Sequence, residues 1–209
     1  MNIRRTYILI MLCFATTVLV AQEDFSANIV DQRVGRESTG PVKIYVTKDK
    51  MRVDSTQPNG HSGVVILNLA SQTNTILIPE RKMYMEFASG QGPNAQRKWN
   101  FFHVTDVENA CADWQKMPTH EGGTCQKVGH ETLNGRSTVK YTGTSKNGDS
   151  GTVWIDTKLD FPIKWQDQGS GGELQDIKEG SQPASLFEIP ADYQKMQMPP
   201  GMHGMSPQH

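Results

Sequence analysis

Reactive and metal-ligating side chains are few in this 209-residue chain: three cysteines, six histidines and ten methionines. Cys111 and Cys125 have thirteen residues between them, too many for the short spacing of a redox dithiol. His120 is the one imidazole inside that stretch, too little for a zinc site. Met196, Met198, Met202, His203 and Met205 gather thioethers and an imidazole near the C-terminus, a soft set that suits Cu(I), against the plainer reading of a solvated low-complexity tail. The histidines at 61, 103, 120, 130, 203 and 209 fall mostly in turns or the tail, and no Ser or Cys motif marks a nucleophile for them to activate. Asp156 and Asp160 flank a turn, where carboxylates commonly serve local hydrogen bonding. These residues predict no enzyme and imply no cofactor.

The third cysteine, Cys13, belongs to a leader. Arg4 and Arg5 precede an apolar run from Tyr7 to Val20, and Ala21 then meets Gln22-Glu23-Asp24. A basic start, a short apolar core and a small residue at the junction predict a signal peptide over 1–21, cut after Ala21. Leu12 stands before Cys13 where a lipoprotein signal has a small residue, and the arginine pair leaves the export route open between general secretory and twin-arginine. Cleavage removes two arginines and no acid, taking the net charge from −1 to −3. It leaves an even pair of cysteines in an exported chain, which reads as a Cys111–Cys125 disulfide. The expected location is periplasmic. With 21 Lys+Arg against 22 Asp+Glu there is no basic surplus for nucleic acid. No other apolar run is long enough to span a bilayer.

Whatever the chain binds must be positioned by strands. Phe25, Ala27 and Ile29 alternate with Ser26, Asn28 and Val30, and Val42, Ile44 and Val46 with Lys43, Tyr45 and Thr47. Further short runs follow at Met51–Asp54, Val64–Leu67, Thr73–Ile78 and Met83–Phe87, with turn residues at Gln57-Pro58-Asn59-Gly60. Residues 88–102 break the pattern. Thr105 and Glu108 then have capping-box spacing at the start of a helix whose face carries Val104, Val107, Cys111 and Trp114, ended by Pro118. Strands resume at Gln126, with hairpin turns at Asn134-Gly135 and Asn147-Gly148, and continue through Val153–Ile155, Phe161–Trp165, Leu174–Ile177 and Leu186–Pro190. From Gln194 on, apolar periodicity is lost, predicting a domain over 22–193 and a disordered Met/Pro-rich tail over 194–209.

About ten strands with one or two helices exclude a parallel α/β sheet, whose crossovers need far more helix. The expected class is mainly β (α+β), as a sandwich, a closed barrel, or a strongly curved antiparallel sheet forming an incomplete barrel with one or two helices in its hollow. In the last case Met83, Met85, Phe87, Trp154 and Trp165 are candidates to line an apolar cavity; packing the core is the alternative for each.

Several stretches favour the curved sheet. The hairpin Thr75-Ile76-Leu77-Ile78-Pro79-Glu80-Arg81-Lys82-Met83-Tyr84-Met85-Glu86-Phe87 resembles one in the bacterial periplasmic lipoprotein-carrier family and its outer-membrane receptor relatives. Lys48-Asp49-Lys50-Met51-Arg52-Val53 is similar to the basic strand before it, and Trp154 to Lys164 to that family's strand–turn–Pro–strand. Phe187-Glu188-Ile189-Pro190-Ala191-Asp192-Tyr193 resembles the closing strand of an uncharacterised branch whose members often carry such a cysteine pair. The resemblance implies an incomplete barrel whose helices lid a hydrophobic cavity. It also implies a hydrophobic small molecule or a lipoprotein acyl chain as partner, held by a monomer. An envelope sensor or scaffold binding a protein is the alternative.

Overall fold

The computed structural model describes residues 23–31, 42–56, 60–88, 104–116, 120 and 122–196. The expected signal peptide, Trp99, Phe101 and Phe102, most of the Gln57–Gly60 turn, Pro118 and the tail beyond Met196 lie outside these residues. Within them the alternating segments become β1 (Phe25–Asp31), β2 (Val42–Val46), β3 (Lys50–Thr56), β4 (Ser62–Asn68), β5 (Thr73–Ile78), β6 (Met83–Ala88), β7 (Thr124–Leu133), β8 (Arg136–Thr144), β9 (Ser150–Asp156), β10 (Phe161–Asp167), β11 (Gly171–Glu179) and β12 (Gln194–Lys195), with one short α-helix, α1 (Cys111–Gln115).

All twelve strands join one sheet in the order β12-β6-β5-β4-β3-β2-β1-β11-β10-β9-β8-β7. Two antiparallel meanders, β2 to β6 and β7 to β11, are sewn together by β1, which pairs with β2 on one side and β11 on the other. The sheet does not close, so it is an incomplete barrel. The turns follow their chemistry: Asn134 and Gly135 take φ of 50° and 77°, the left-handed pair that a two-residue hairpin loop needs.

One face of this sheet is concave and carries the main core. Phe25 on β1 and Phe161 on β10 are two strands apart, a spacing of roughly 9.6 Å in a flat sheet, yet their ring centroids lie 5.2 Å apart edge to face. Ile44, Val46, Met51, Val53 and Leu174 fill the same core. Farther along the face, Val104, Val107 and Ala110 of the helical segment pack on Val139, Tyr141 and Ile155. The expected helix-in-the-hollow arrangement is therefore present over β8 and β9. Its N-terminus differs from expectation. Thr105 and Glu108 do not form a capping box; Asp106 accepts the Glu108 amide at 2.9 Å, and the Thr105 hydroxyl donates to Asp113 Oδ2 at 2.7 Å. Aspartate is the stronger N-cap acceptor of the two, and here it takes the amide. The segment runs as a 3-10 turn (Val107–Asn109) before α1.

The second face of the β3–β6 half is covered as well. Val64, Ile66 and Leu77 point outward beneath Phe187, flanked by Leu186, Ile189 and Tyr193. Leu186–Pro190, expected as a strand, instead supplies this cover, beginning as a 3-10 turn at Ala184–Phe187. Arg52 anchors it, donating to the Leu186 carbonyl at 2.8 Å and to Asp54 at 2.6 Å. The chain then adds β12 alongside β6, in parallel, and the Met196 amide donates to the Tyr84 carbonyl at 2.8 Å. Gln194 to Met196, expected in the tail, are thus part of the sheet's edge.

Cys111 and Cys125 form a disulfide, with Cα atoms 5.5 Å apart, that ties the start of α1 to β7. A 15-residue closed loop restricts the unfolded chain by about 3 kcal/mol on the chain-entropy model. Replacing both cysteines by serine should lower the stability measured by urea unfolding by about that amount, with the fold retained.

At the far end of the β9–β10 turn, Glu179 accepts from Arg136 at 2.7 Å and from the Lys158 ammonium. The Lys158 and Arg136 contacts hold its carboxyl down at about 2. The unfolded carboxyl titrates near 4.3, so this contribution to stability is complete above about pH 4.3 and is lost as pH falls towards 2. An acid titration of the unfolding midpoint should show that loss in the wild type and a smaller one in Glu179→Gln.

Candidate functional site

The three strands under and beside the helical segment place side chains on the concave face by register. Trp165 of β10 lies opposite Val153 of β9, which lies opposite Tyr141 of β8. Residues directly opposite in an antiparallel pair share a face, so these three form one row. The Tyr141 hydroxyl donates to the Val107 carbonyl at 2.7 Å and accepts from the Ala110 amide at 3.3 Å, fixing the helical segment over the row. Burial pushes that hydroxyl's pKa up, so it stays neutral and able to donate.

Two tryptophans bound this surface, Trp165 at the end of the row and Trp114 from α1. Trp165 lies against Gly172, where a Cβ would overlap its ring. Trp114 lies across Gly123 and Gly143 in the same manner and stacks on His120, with centroids 4.1 Å apart and planes within 8°. Between them is a cavity of about 620 Å³ whose walls are Trp114, Tyr141, Val153, Pro162, Trp165 and the Cys125 end of the disulfide. Its mouth is polar, formed by the β8–β9 turn and the end of β10. There Asp167 would be pushed up by burial, but the Gly169 and Ser170 amides and the Ser170 hydroxyl hold its carboxyl below the usual range.

Of the five residues expected to line a cavity, Trp165 alone lines this one. Met83, Met85 and Phe87 lie opposite Ile78, Ile76 and Asn74, half-buried on the concave face but at the other end of the strand order. Trp154 points to the opposite side of the sheet from Val153 and Trp165. It is buried there beneath the Lys140 and Lys164 ammonium groups, 4.8 and 5.2 Å from its ring, and donates from Nε1 to Glu131 at 2.7 Å. Trp154 and Trp165 therefore cannot share one wall. The reason is a bulge: β10 slips by one residue between Pro162 and Lys164, and without it Trp165 would fall on the Trp154 face.

Trp114 is expected on the helix face, but neither it nor Tyr141 nor the glycines beneath the rings stand among the expected lining residues. The signal lay in Gly143, within a strand otherwise rich in β-branched residues, where the Trp114 ring comes to 3.0 Å of the position a Cβ would take. A glycine in a strand interior marks a close approach by another group. Asp156 makes structural contacts: its Oδ1 accepts the Lys158 and Leu159 amides at 2.9 Å each, and its Oδ2 accepts from Arg136. Among the described residues no three His, Cys, Asp or Glu side chains gather to hold a metal ion. Met198, Met202, His203 and Met205 of the copper alternative lie outside those residues. No described helix is long and apolar enough to cross a membrane.

Comparison with solved structures finds the same architecture elsewhere. An uncharacterized conserved protein from Thermus thermophilus matches with a TM-score of 0.54 at 11% identity, over 84% of this chain and 90% of that one. The likeness is one of fold. Two weaker matches are a chain of the Pseudomonas aeruginosa MucA/MucB complex (TM-score 0.40, 17% identity, 86% of this chain and 62% of that one) and a LolA superfamily protein from Nitrosomonas europaea (TM-score 0.34, 11% identity, 80% and 90%). No protein-family model and no curated protein sequence matches the chain.

Proposed function

We propose that this chain is an exported, non-catalytic binding protein of the periplasm that holds a hydrophobic ligand, a lipid or a lipoprotein acyl chain, in the cavity between Trp114 and Trp165. The observation that carries the proposal is the cavity itself, about 620 Å³ with an aromatic and aliphatic wall and a polar mouth. Small-molecule sites run from roughly 300 to 1,000 Å³ and share this division between apolar body and few polar groups. The leader expected over 1–21 supports the location, and the disulfide fits an oxidising compartment. Glycines at 123, 143 and 172 let both indole rings lie close to the backbone, which keeps the space between them open instead of filling it with β-branched side chains.

Native mass spectrometry of the mature protein, purified from a bacterial envelope without detergent, tests this. The expected spectrum contains a species heavier by the mass of a lipid or lipopeptide, dissociated by gentle activation. A spectrum holding the bare polypeptide alone, under conditions that preserve lipid on a known carrier, would count against the proposal.

A further inference from the structure

The mouth of the cavity carries a sign of charge that the wall does not explain. Two turns make it: the β8–β9 connection, with Ser145, Asn147 and Asp149, and the end of β10, with Gln166 and Asp167. No lysine or arginine is among the described residues that line the cavity, and its one imidazole, His120, lies stacked on the Trp114 ring. Lys146, on the same turn, is exposed and forms no part of the wall. Asp167 is held ionised by the Gly169 and Ser170 amides, as above. Among the described residues Asp149 has one long side-chain contact, from the Ser145 hydroxyl to Oδ2 at 3.4 Å, which leaves its carboxylate with acceptor capacity.

Resting on the apolar-ligand reading above, we infer that the ligand is an amphiphile with a cationic head, seated with its apolar part between the tryptophans and its head at Asp149 and Asp167. Uncharged hydroxylated heads rank second, served by Ser145, Asn147 and Gln166; anionic heads rank last. Two carboxylates at the mouth attract an ammonium and repel a sulfate or phosphate, and both effects act through water at an exposed rim, so they are screened by salt. The wall, by contrast, discriminates on chain length and not on charge.

The test uses the mature full-length protein loaded with a neutral solvatochromic dye, displaced by dodecyltrimethylammonium, dodecyl maltoside and dodecyl sulfate, each below its critical micelle concentration. The expected order of displacement is cation, then maltoside, then sulfate. The cation-to-sulfate ratio should be about tenfold or more at low salt and should fall towards unity near 0.5 M NaCl. Asp149→Asn, on an exposed side chain outside the hydrogen bonds of the Asp167 turn, should lower that ratio several-fold; Asp149→Asn with Asp167→Asn should lower it further. Equal displacement by all three heads, or tighter binding of sulfate, overturns the head-group inference and leaves the cavity reading standing. Displacement by none of them, with the dye itself unbound, overturns both.

Discussion

Trp165→Glu should abolish uptake of a neutral hydrophobic dye, whereas Met85→Glu should leave it nearly unchanged. Trp165 covers Gly172 and walls the cavity, so the substitution removes an aromatic surface and puts a carboxylate where the chain would lie. Burying an unpaired carboxylate costs several kcal/mol, and each 1.4 kcal/mol is tenfold in affinity, so the loss should exceed about 100-fold. Met85 shares the concave face but sits on β6, half-buried, with β5 to β1 and β11 between it and β10. Its substitution should perturb local packing and not the cavity. Thermal melts of both variants show whether each remains folded, and dye titration then reads binding alone. Loss of uptake in Met85→Glu with Trp165→Glu unaffected would move the site to the β6 end of the sheet.

Asp156→Ala should be the most damaging single substitution for stability. The carboxylate is 1% exposed and satisfies the Lys158 and Leu159 amides with one oxygen and the Arg136 guanidinium with the other. Removing it leaves a partly buried arginine charge and two amides without that acceptor, and deletion of one partner of a buried pair costs about 3–5 kcal/mol. Asp156→Asn keeps an acceptor for the amides and should recover part of the loss. Urea unfolding of the three proteins gives the comparison. A similar midpoint for wild type and Asp156→Ala would show that water or Glu179 replaces the missing oxygen.

How much of this was legible in the sequence depends on whether one strand or two must be read. Alternation within a strand was readable: Val153 and Ile155 do oppose Trp154, and Asn134-Gly135 does turn β7 into β8. Relating the faces of two strands was not. By residue type Trp154 and Trp165 are equal candidates for a lining, and the one-residue bulge between Pro162 and Lys164 puts them on opposite sides. Nothing in Phe161-Pro162-Ile163-Lys164 announces a bulge except the proline, whose missing N–H weakens the ladder at that point. The unbroken apolar run Val64–Leu67 carried a second lesson. A half-buried strand alternates, so four apolar residues in succession require cover on both faces. Val65 and Leu67 join the concave core, while Val64 and Ile66 need Phe187. Leu186–Pro190 has the composition of a strand because it must be apolar to supply that cover. The helix start differs for another reason: Asp106 is a better N-cap acceptor than its neighbour Thr105, whose hydroxyl is engaged by Asp113 of the same segment.

The cavity claim is tested most directly by tryptophan quenching with an acyl chain brominated along its length. The chain has four tryptophans, at 99, 114, 154 and 165. If the ligand lies between Trp114 and Trp165, saturating brominated chain should quench a Trp99→Phe protein strongly, and adding Trp114→Phe with Trp165→Phe should remove that quenching while binding, followed by dye displacement, persists. Quenching that survives in the triple variant would place the chain elsewhere on the sheet and contradict the account.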